Sequence, residues 1–393
     1  MSIGLLYERS ENDENGIKLT AEEMGIDLTF IPFRKIVVSI GKSGFNIASK
    51  GKNFTNTLKD VAVVLNRAQS KNRRLYAAHT MEVLEKQVIN PSTIEFMCYS
   101  KFRTLMHLWA VGLPIPKTVY VPCDPSDITK DGRKISNEPD IASLIEQEIG
   151  DSVVIKPDAG THGKGIVLSK TREELISNIR QTEPSIINPV GIVAQELIKK
   201  WFYDLRIIVY KEKRKDPVCH PIAMARAGFS DFRTNTFLGN IVFDTLLPNY
   251  IKESAAKCGK ALGRGHEAWV FAMDAMINIG ENKNADDETL KAELAKAASS
   301  WETVKKVKQD DLRLRDFKAW NTQLEAAVNN YKSTESYAKV KNIIEENVET
   351  NRARIVFHEA NSCPEFWEQT RTITGLNVAI PLLRGALSLI DQQ

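Results

Sequence analysis

Cysteine is scarce in this chain of 393 residues, and its five cysteines are scattered without a C-x-x-C pair. An odd number of separated thiols supports neither a disulfide framework nor a zinc site, so we expect a reducing, cytoplasmic compartment. No apolar run approaches the roughly 20 residues that a membrane span needs. The apolar stretch at the N-terminus is too short for a signal peptide. We therefore expect a soluble protein with no membrane partner.

An excess of one charge sign is also missing. The 53 lysines and arginines are nearly balanced by 50 acidic residues, which leaves a net charge of +3. A protein that coats nucleic acid would need a strongly basic domain, so nucleic acid is not expected as a partner. Two short basic clusters, at 71–74 and 211–215, are interpreted as solvated faces.

Length and strand pattern predict several packed subdomains. Residues 1–95 are predicted to form an N-terminal α/β domain, because short apolar strands alternate there with a helical pattern, which indicates a parallel sheet. The predicted strands lie at 3–7, 28–31 and 61–65, and the helix at 19–24. Residues 96–192 are predicted as a central subdomain and 193–393 as a C-terminal one with several strands. The polar stretch 124–138 is interpreted as a loop.

The most informative segment is an apolar strand followed by a glycine-rich loop, V-V-I-K-P-D-A-G-T-H-G-K-G-I at 153–166. Glycines let backbone N–H groups approach an anion, and lysines beside them add positive charge. The residues concerned are Gly160, Gly163, Gly165, Lys156 and Lys164. The loop lacks the Gly-Lys-Ser/Thr ending of a P-loop, and a dinucleotide fingerprint would need a helix to start inside it. Taken alone, the pattern fits an ordinary turn about as well as a phosphate site.

The order of motifs around this loop is more specific. Upstream lie I-N-P-S at 89–92, then Lys101 and G-L-P-I-P-K-T at 112–118; downstream lie V-A-Q-E-L-I at 193–198, D-L-R at 204–206, Arg226, R-T-N at 233–235, Asp274 and H-E-A-N-S at 358–362. In this order the motifs resemble the ATP-grasp superfamily, and within it the RimK/LysX-like carboxylate–amine ligases. The resemblance covers most of the chain.

The resemblance implies an α/β (α+β) ATP-grasp fold preceded by an N-terminal pre-ATP-grasp domain. It implies an ADP-forming ligase that makes a C–N bond between a carboxylate and an amine through an acylphosphate, with an amino acid or small peptide as one substrate. ATP and Mg²⁺ are the implied cofactors, with Mn²⁺ as an alternative metal. Two other hypotheses are an ATP-grasp kinase that phosphorylates a small molecule and stops there, and a nucleotide-binding regulatory protein without turnover.

The resemblance also assigns nucleotide-binding residues. Lys101 and Lys156 match the pair that contacts the α- and β-phosphates, beside the glycine loop. The hinge that would hold adenine is formed by Gln195, Glu196, Leu197 and Ile198. Asp204 is expected either to reach the ribose or to pair with a lysine.

The implied metal ligands are Asp274, Glu359 and Asn361, whose oxygens suit magnesium beside phosphate. Glu359 and Asn361 are two residues apart, so a strand would project both side chains from one face. Catalytic roles are expected for Arg206, Arg226, Arg233 and Asn235. Arg226 is the candidate for the reacting phosphoryl group, and Arg233, beside Asn235, for the amino-acid carboxylate, because guanidinium binds such groups in a bidentate manner.

Residues 280–352 depart from the family pattern, which has a short turn between the two metal-ligand strands. Two apolar stripes at helical spacing, beginning at Leu290 and Phe317, and the absence of proline from 249 to 363 predict a helical hairpin inserted at about 281–352. We expect this hairpin to project from the core and to serve homo-oligomer assembly or partner contact. A self-packed spacer without a partner is the alternative.

Overall fold

A computed structural model describes residues 2–9, 11–42, 44–49, 52–122, 126–128, 131–132, 134–160, 163–182, 191–229, 232–234, 239–280 and 288–390. Among these residues, no helix combines the length and apolar character that crossing a bilayer needs. The chain mixes helices with antiparallel and parallel sheets, and the predicted α/β (α+β) class is confirmed.

The N-terminal part contains a parallel sheet, as its alternating pattern predicts. Its strand order is β2-β1-β6-β7, and the central strand β6 is buried along its whole length. A smaller antiparallel sheet, β3-β4-β5, lies beside it. The elements are β1 (Ser2–Tyr7), α1 (Asn12–Glu23), β2 (Leu28–Pro32), β3 (Val37–Gly41), β4 (Gly44–Ser49), β5 (Lys52–Asn53), α2 (Phe54–Lys59), β6 (Val61–Arg67), α3 (Lys71–Val83) and β7 (Gln87–Ile89).

The middle of the chain forms an antiparallel sheet of order β12-β11-β13-β8, packed against α6 and α7. The stretch 124–138 is not simply a loop, because two short strands pair within it. The elements are α4 (Ser92–Tyr99), α5 (Lys101–Ala110), β8 (Thr118–Val121), β9 (Ser126–Ile128), β10 (Lys134–Ser136), α6 (Glu138–Ile149), β11 (Val153–Pro157), β12 (Val167–Ser169), α7 (Arg172–Gln181) and β13 (Ile192–Glu196).

The last part is built on an antiparallel sheet of order β17-β16-β14-β18-β19, with β15 paired to β14. Helix α8 packs closely against β18 because Gly263 has no Cβ. A Cβ there would lie 2.2 Å from Trp269 Nε1. The elements outside the inserted segment are β14 (Tyr203–Lys211), β15 (Val218–Cys219), β16 (Ile222–Ala227), β17 (Ile241–Leu246), α8 (Asn249–Gly263), β18 (Trp269–Ile277), β19 (Ile355–Asn361), α13 (Thr370–Thr374) and α14 (Ala379–Ile390).

The inserted segment differs from the prediction. Its described part contains three long helices rather than two, and they pack on the sheet instead of projecting from it. They are α9 (Glu288–Gln309), α11 (Phe317–Lys332) and α12 (Glu335–Thr350), with the short α10 (Leu312–Arg315) between the first two. Both predicted apolar stripes are helical and face inward, but they belong to the same hydrophobic core as the sheet. The prediction of a projecting hairpin is therefore wrong. Because the apolar stripes are buried in the core, they no longer support homo-oligomer assembly through this segment.

Buried polar groups fasten these helices to the sheet. The Tyr331 hydroxyl donates to the carbonyl of Val242 at 3.0 Å, and the Asp244 N–H donates to the Tyr337 hydroxyl at 3.0 Å. Lys341 Nζ lies 2.8 Å from Asp244 Oδ2. A buried polar group that loses its partner destabilises the fold, so these contacts fix which way the helices lie on β17.

Trp301→Ala tests whether the inserted helices are part of the core. Trp301 is 2% exposed and its ring packs 4.8 Å from that of Tyr331. We expect the substitution to cost about 3–5 kcal/mol of the free energy of unfolding, as for other buried aromatics. Urea denaturation of the variant, with the exposed Glu302→Ala as control, measures this. A separate transition of the helices, with the remaining chain unaffected, would contradict the packing described here.

A buried charge cluster joins the N-terminal sheet to the C-terminal part of the chain. Arg67 Nη2 lies 2.8 Å from Asp13 Oδ2, and Arg67 Nε lies 3.6 Å from Glu14 Oε1, an ion-pair contact too long for a hydrogen bond. Asp13 Oδ1 also accepts hydrogen bonds from the backbone N–H groups of Phe366 and Trp367. One guanidinium cannot offset two buried carboxylates. Burial accordingly raises the pKa of Asp13 to about 6 and that of Glu14 to about 7, although Arg67 acts in the opposite direction.

Glu14→Gln should make stability less dependent on pH. The folded protein keeps a proton on Glu14 up to about pH 7, whereas the unfolded chain releases it near the ordinary pKa of 4.5. The free energy of unfolding therefore falls as pH rises through this window. We expect the variant to lose this part of the dependence and to be more stable than the parent at pH 8 by about 1–3 kcal/mol.

Thermal or urea unfolding between pH 5 and pH 8 measures this difference. Glu22→Gln on the exposed face of α1 is the matched control, since Glu22 is 61% exposed. Parallel pH profiles for the parent and Glu14→Gln would rule out a buried, protonated Glu14.

Candidate active site

A cleft of about 820 Å³ lies where the three parts of the chain meet. Strands β11 and β13 form one wall, strands β14, β16, β18 and β19 form the floor, and α1 with the start of α3 closes one end. Of the predicted site residues, those lining it are Lys101, Lys156, Gly160, Gly163, Lys164, Glu196, Leu197, Ile198, Asp204, Arg206, Arg226, Arg233, Asp274, Glu359 and Asn361. Asn235 lies outside the described residues. The structure thus brings residues from distant parts of the sequence to one place.

Lys101 is the first residue of α5. Ser100 caps this helix by accepting from the Arg103 N–H, and the Lys101 N–H donates to the carbonyl of Asp158. Lys101 Nζ donates to the carbonyl of Gly160 at 2.7 Å and lies 3.9 Å from Glu359 Oε1. This ammonium group therefore connects the glycine loop with the predicted metal-ligand strand.

Lys156 is buried at the end of β11, and its Nζ donates to Gln195 Oε1 at 2.5 Å. Gln195 in turn donates to Thr118 Oγ1, so its side chain positions the lysine and does not face the cleft. Burial lowers the pKa of Lys156 to about 8; Glu359 opposes this effect and Lys101 adds to it. The ammonium group is thus only weakly favoured in the free protein.

Lys71 belongs to the site, although the sequence placed it in a solvated basic cluster. It opens α3 and lines the cleft, and burial together with Lys101 lowers its pKa to about 8 while Glu359 acts to raise it. Arg74 of the same cluster is also buried and is paired with Glu95 at 2.7 Å. The solvated-face interpretation is therefore wrong for Lys71 and Arg74, whereas Asn72 and Arg73 are exposed. A run of basic residues at the start of a helix does not by itself indicate which of their side chains are buried.

The glycine loop needs its glycines for close packing. Gly165 has a φ of +70°, and a Cβ there would lie 2.9 Å from Pro157 Cγ, so another residue would be strained and crowded. Arg233 Nη1 donates to the carbonyl of Gly163 at 3.2 Å. Residues 161–162 of the loop lie outside the described part.

Asp274 and Glu359 are direct partners on β18 and β19, beside a β-bulge in the ladder. Burial would raise the pKa of the Asp274 carboxyl, but Arg206 and Arg226 hold it well below its usual value. Both Asp274 oxygens accept hydrogen bonds from Arg206, at 2.9 Å each. Burial likewise opposes ionisation of Glu359, and Lys101 followed by Lys71 lowers its pKa. Both carboxylates are ionised at neutral pH.

The donor set fits a magnesium ion shared with phosphate groups. Among the described residues, no group of three or more His, Cys, Asp or Glu side chains could hold a metal by itself. Magnesium is usually held by one or two carboxylates together with substrate phosphates and water. Asp274, Glu359 and the Asn361 side chain, whose Oδ1 accepts from the Cys363 N–H at 3.0 Å, match that incomplete set.

Asp204 pairs with an arginine, not with a lysine. Arg226 Nε and Nη2 donate to its two oxygens at 2.6 and 2.9 Å, and Arg226 Nη2 also lies 3.2 Å from Asp274 Oδ2. Burial opposes ionisation of Asp204, but Arg226 and Lys200 lower its pKa. Arg226 therefore holds two carboxylates in place on the floor of the cleft.

The predicted hinge follows β13. The Glu196 N–H donates to the carbonyl of Lys117 and the Leu197 N–H to that of Ser152, while Leu197 and Ile198 line the cleft.

His358 also lines the cleft, although the sequence assigned it no role of its own. Burial lowers the pKa of His358 to about 4, and the nearby positive charge of Lys156 acts in the same direction. The His358 Nε2 atom is buried without a described hydrogen-bond partner.

Comparisons with known proteins agree with this geometry. Residues 126–278 match the RimK-like ATP-grasp domain. The chain is 26% identical over 205 residues to the alpha-aminoadipate–LysW ligase LysX of Saccharolobus solfataricus, which covers 52% of this chain and 67% of that protein. It is 23% identical over 264 residues to LysX of Sulfurisphaera tokodaii, with 67% and 82% covered. A probable alpha-L-glutamate ligase of Legionella pneumophila is 26% identical over 184 residues, with 47% and 54% covered.

Solved structures share the fold at low identity. D-alanyl-alanine synthetase A from Vibrio cholerae superposes with a TM-score of 0.56 and 10% identity over 99% of both chains. The ATP-grasp ligase PsnB, complexed with a minimal precursor, gives 0.54 and 13% over 100% of this chain and 99% of that one. The chain thus has the fold of the ATP-grasp ligases. Over residues 126–278 the chain resembles the RimK-like ATP-grasp proteins, and its relatives support a ligase that forms C–N bonds between carboxylates and amines with ATP.

ATP binding should take up protons at pH 8.5 and much less at pH 7. Lys71 and Lys156, each with a pKa of about 8, are partly neutral at the higher pH. Phosphate groups nearby favour the charged ammonium form and raise both pKa values. Calorimetry of magnesium–ATP binding in buffers of different ionisation enthalpy measures the uptake.

Lys156→Met should weaken ATP binding and reduce the proton uptake. Lys117→Met is the control, because its Nζ pairs with Glu148 on the surface, where the lysine side chain is 55% exposed. Equal proton uptake at both pH values would show that neither buried lysine meets the phosphates.

Proposed function

We propose that this ligase activates a carboxylate as an acylphosphate and joins it to the amino group of an amino acid or small peptide, with Mg²⁺ as its metal. The observation that carries the proposal is the convergence of Lys101 and Glu359, whose Nζ and Oε1 atoms lie 3.9 Å apart. A phosphate-binding cation and a metal-binding carboxylate at one point suit a triphosphate whose terminal group is transferred there.

Charge neutralisation and alignment are the tasks of this chain's residues. A carboxylate oxygen of the substrate forms a bond to the γ-phosphorus, and the bond from that phosphorus to the β,γ-bridging oxygen breaks, so that ADP leaves with its electron pair. The amine nitrogen then attacks the acyl carbon, and inorganic phosphate leaves as the amide forms and the nitrogen loses its proton. We assign the nucleotide phosphates to Lys101, Lys156 and the glycine loop.

Mg²⁺ would be held by Asp274, Glu359 and Asn361. When bound, it neutralises phosphate charge and orients the transferring group. A carboxylate has about four lone-pair sites, so the pairing of Asp274 with Arg206 and Arg226 leaves room for coordination. We assign Arg226 to the floor beneath the reacting phosphoryl group.

We assign Arg233 a role that differs from the one expected from the sequence. Its donation to the carbonyl of Gly163 favours a role in holding the glycine loop over the phosphates rather than in binding an amino-acid carboxylate. The names of the relatives, which include alpha-aminoadipate and L-glutamate as substrates, support an amino acid with an acidic side chain as one substrate here.

The proposal is tested by following the oxygen of the carboxylate. Amino acids and small carboxylates are screened for ADP release, and the active carboxylate is then labelled with ¹⁸O. We expect equal amounts of ADP, phosphate and amide, with one labelled oxygen in the phosphate. A phosphorylated product without amide would select the kinase hypothesis instead.

Glu359→Gln should lower the rate of ADP release by roughly 100-fold or more, a loss of the size seen when one strong electrostatic contact to the transition state is removed. Glu148→Gln, whose parent side chain is 64% exposed, should leave the rate unchanged. A near-normal rate for Glu359→Gln at saturating magnesium would remove Glu359 from the metal site.

A further inference from the structure

The inserted helices reach the cleft through the short connection between α9 and α11. Lys308 at the end of α9 and Arg313 and Leu314 of α10 line the cleft together with Asn12 and Asp13 of α1. The nucleotide hinge, with Leu197 and Ile198, comes from β13 in a different part of the chain. The connection therefore belongs to the wall of the cleft that the insertion shares with the N-terminal part.

Contacts fix this connection in place. Lys308 Nζ lies 2.8 Å from Glu368 Oε2, and Glu368 Oε1 accepts a hydrogen bond from Asn12. The Trp367 indole N–H donates to Asn321 Oδ1 of α11 at 3.0 Å. One short segment after β19 is thus bonded to the insertion on one side and to α1 on the other. This segment thus joins the insertion and α1 at their shared wall of the cleft.

Arg313 is a charged group on this wall for which the described residues supply no ion pair. Its Nε atom is buried without a hydrogen-bond partner, and among the described residues its side chain forms no ion pair. Arg313 lines the cleft, so its guanidinium group brings a positive charge there that no described carboxylate of this chain offsets. Such a charge favours an anionic ligand. Leu314 beside it is 74% exposed, so an apolar side chain lies open at the same rim.

We propose that Arg313 binds an anionic group of the substrate, a carboxylate that does not react, and that the inserted segment is the specificity element of this ligase. The proposal rests on the ligase function proposed above and names a residue that selects its substrate. A guanidinium group binds carboxylate through two parallel N–H donors, whereas a neutral amide side chain offers it a weaker match.

Charges on the same wall are compatible with an anion beside Arg313. Glu368 is neutralised by Lys308, and Asp13 is paired with Arg67 and two backbone N–H groups. Glu11 accepts a hydrogen bond within the capping box of α1. Glu365 is exposed at the rim and offers an acceptor for the ammonium group of an amino acid.

The test compares L-glutamate with L-glutamine, which differ in charge but hardly in shape. Calorimetry of the full-length protein is carried out with magnesium and a non-hydrolysable ATP analogue present. We expect L-glutamate to bind at least about 10-fold more tightly than L-glutamine, a difference of about 1.4 kcal/mol. Arg313→Gln should remove this preference without changing the affinity for the ATP analogue.

Arg315→Gln is the matched control, because Arg315 lies on the same short helix but is exposed and is not among the described residues that line the cleft. It should keep the full preference for L-glutamate. A preference that survives in Arg313→Gln, or a parent protein that does not prefer L-glutamate, would overturn the inference.

The two proposals can fail separately. ADP release with transfer of ¹⁸O from a neutral substrate, without a preference for L-glutamate, would leave the ligase mechanism standing and remove the role of Arg313. Binding of L-glutamate that depends on Arg313, without ADP release for any carboxylate and amine pair, would support the role of Arg313 and overturn the proposed chemistry.

Discussion

The pairing of β18 with β19 is the constraint on which the site depends. It places Asp274 opposite Glu359, although the whole inserted segment separates them in sequence. Because the ends of the insertion are neighbouring strands of one sheet, its helices must leave and return beside the proposed metal ligands. Helices α9, α11 and α12 cover the sheet and bury their apolar stripes against it, while the short α10 lies at the cleft. Sheet register therefore determines both the carboxylate pair and where the insertion can act.

Electrostatic balance governs the free site. Lys71, Lys101 and Lys156 each interact electrostatically with Glu359, and Arg206 and Arg226 pair with Asp274. Buried charges need partners of opposite sign, and here each ammonium group is only partly offset by a carboxylate. The lowered pKa values of Lys71 and Lys156 express that imbalance. Bound phosphate groups would supply the missing negative charge beside these lysines.

The segment after β19 links the N-terminal part of the chain to the inserted helices. Its backbone is held by Asp13 of the Arg67 cluster, and its Glu368 side chain is held by Lys308 of the insertion. The N-terminal part and the insertion therefore share one wall of the cleft. A change in either part would alter the wall where the substrate is expected to bind. The predicted nucleotide hinge follows β13, which belongs to a separate sheet.

Local patterns in the sequence were enough to predict much of this protein. They predicted that Lys156 lies near the end of a buried strand before a glycine loop and that Glu359 and Asn361 share a strand. Such features depend on neighbouring residues and on spacing, which the sequence states directly. Tertiary structure alone decided the depth of Lys71, the pairing of Asp204 with Arg226, and the unpaired Arg313 in the cleft. An apolar stripe shows which face of a helix is buried but not what covers it, and a charged residue shows its sign but not its partner, because both depend on contacts between residues far apart in the chain.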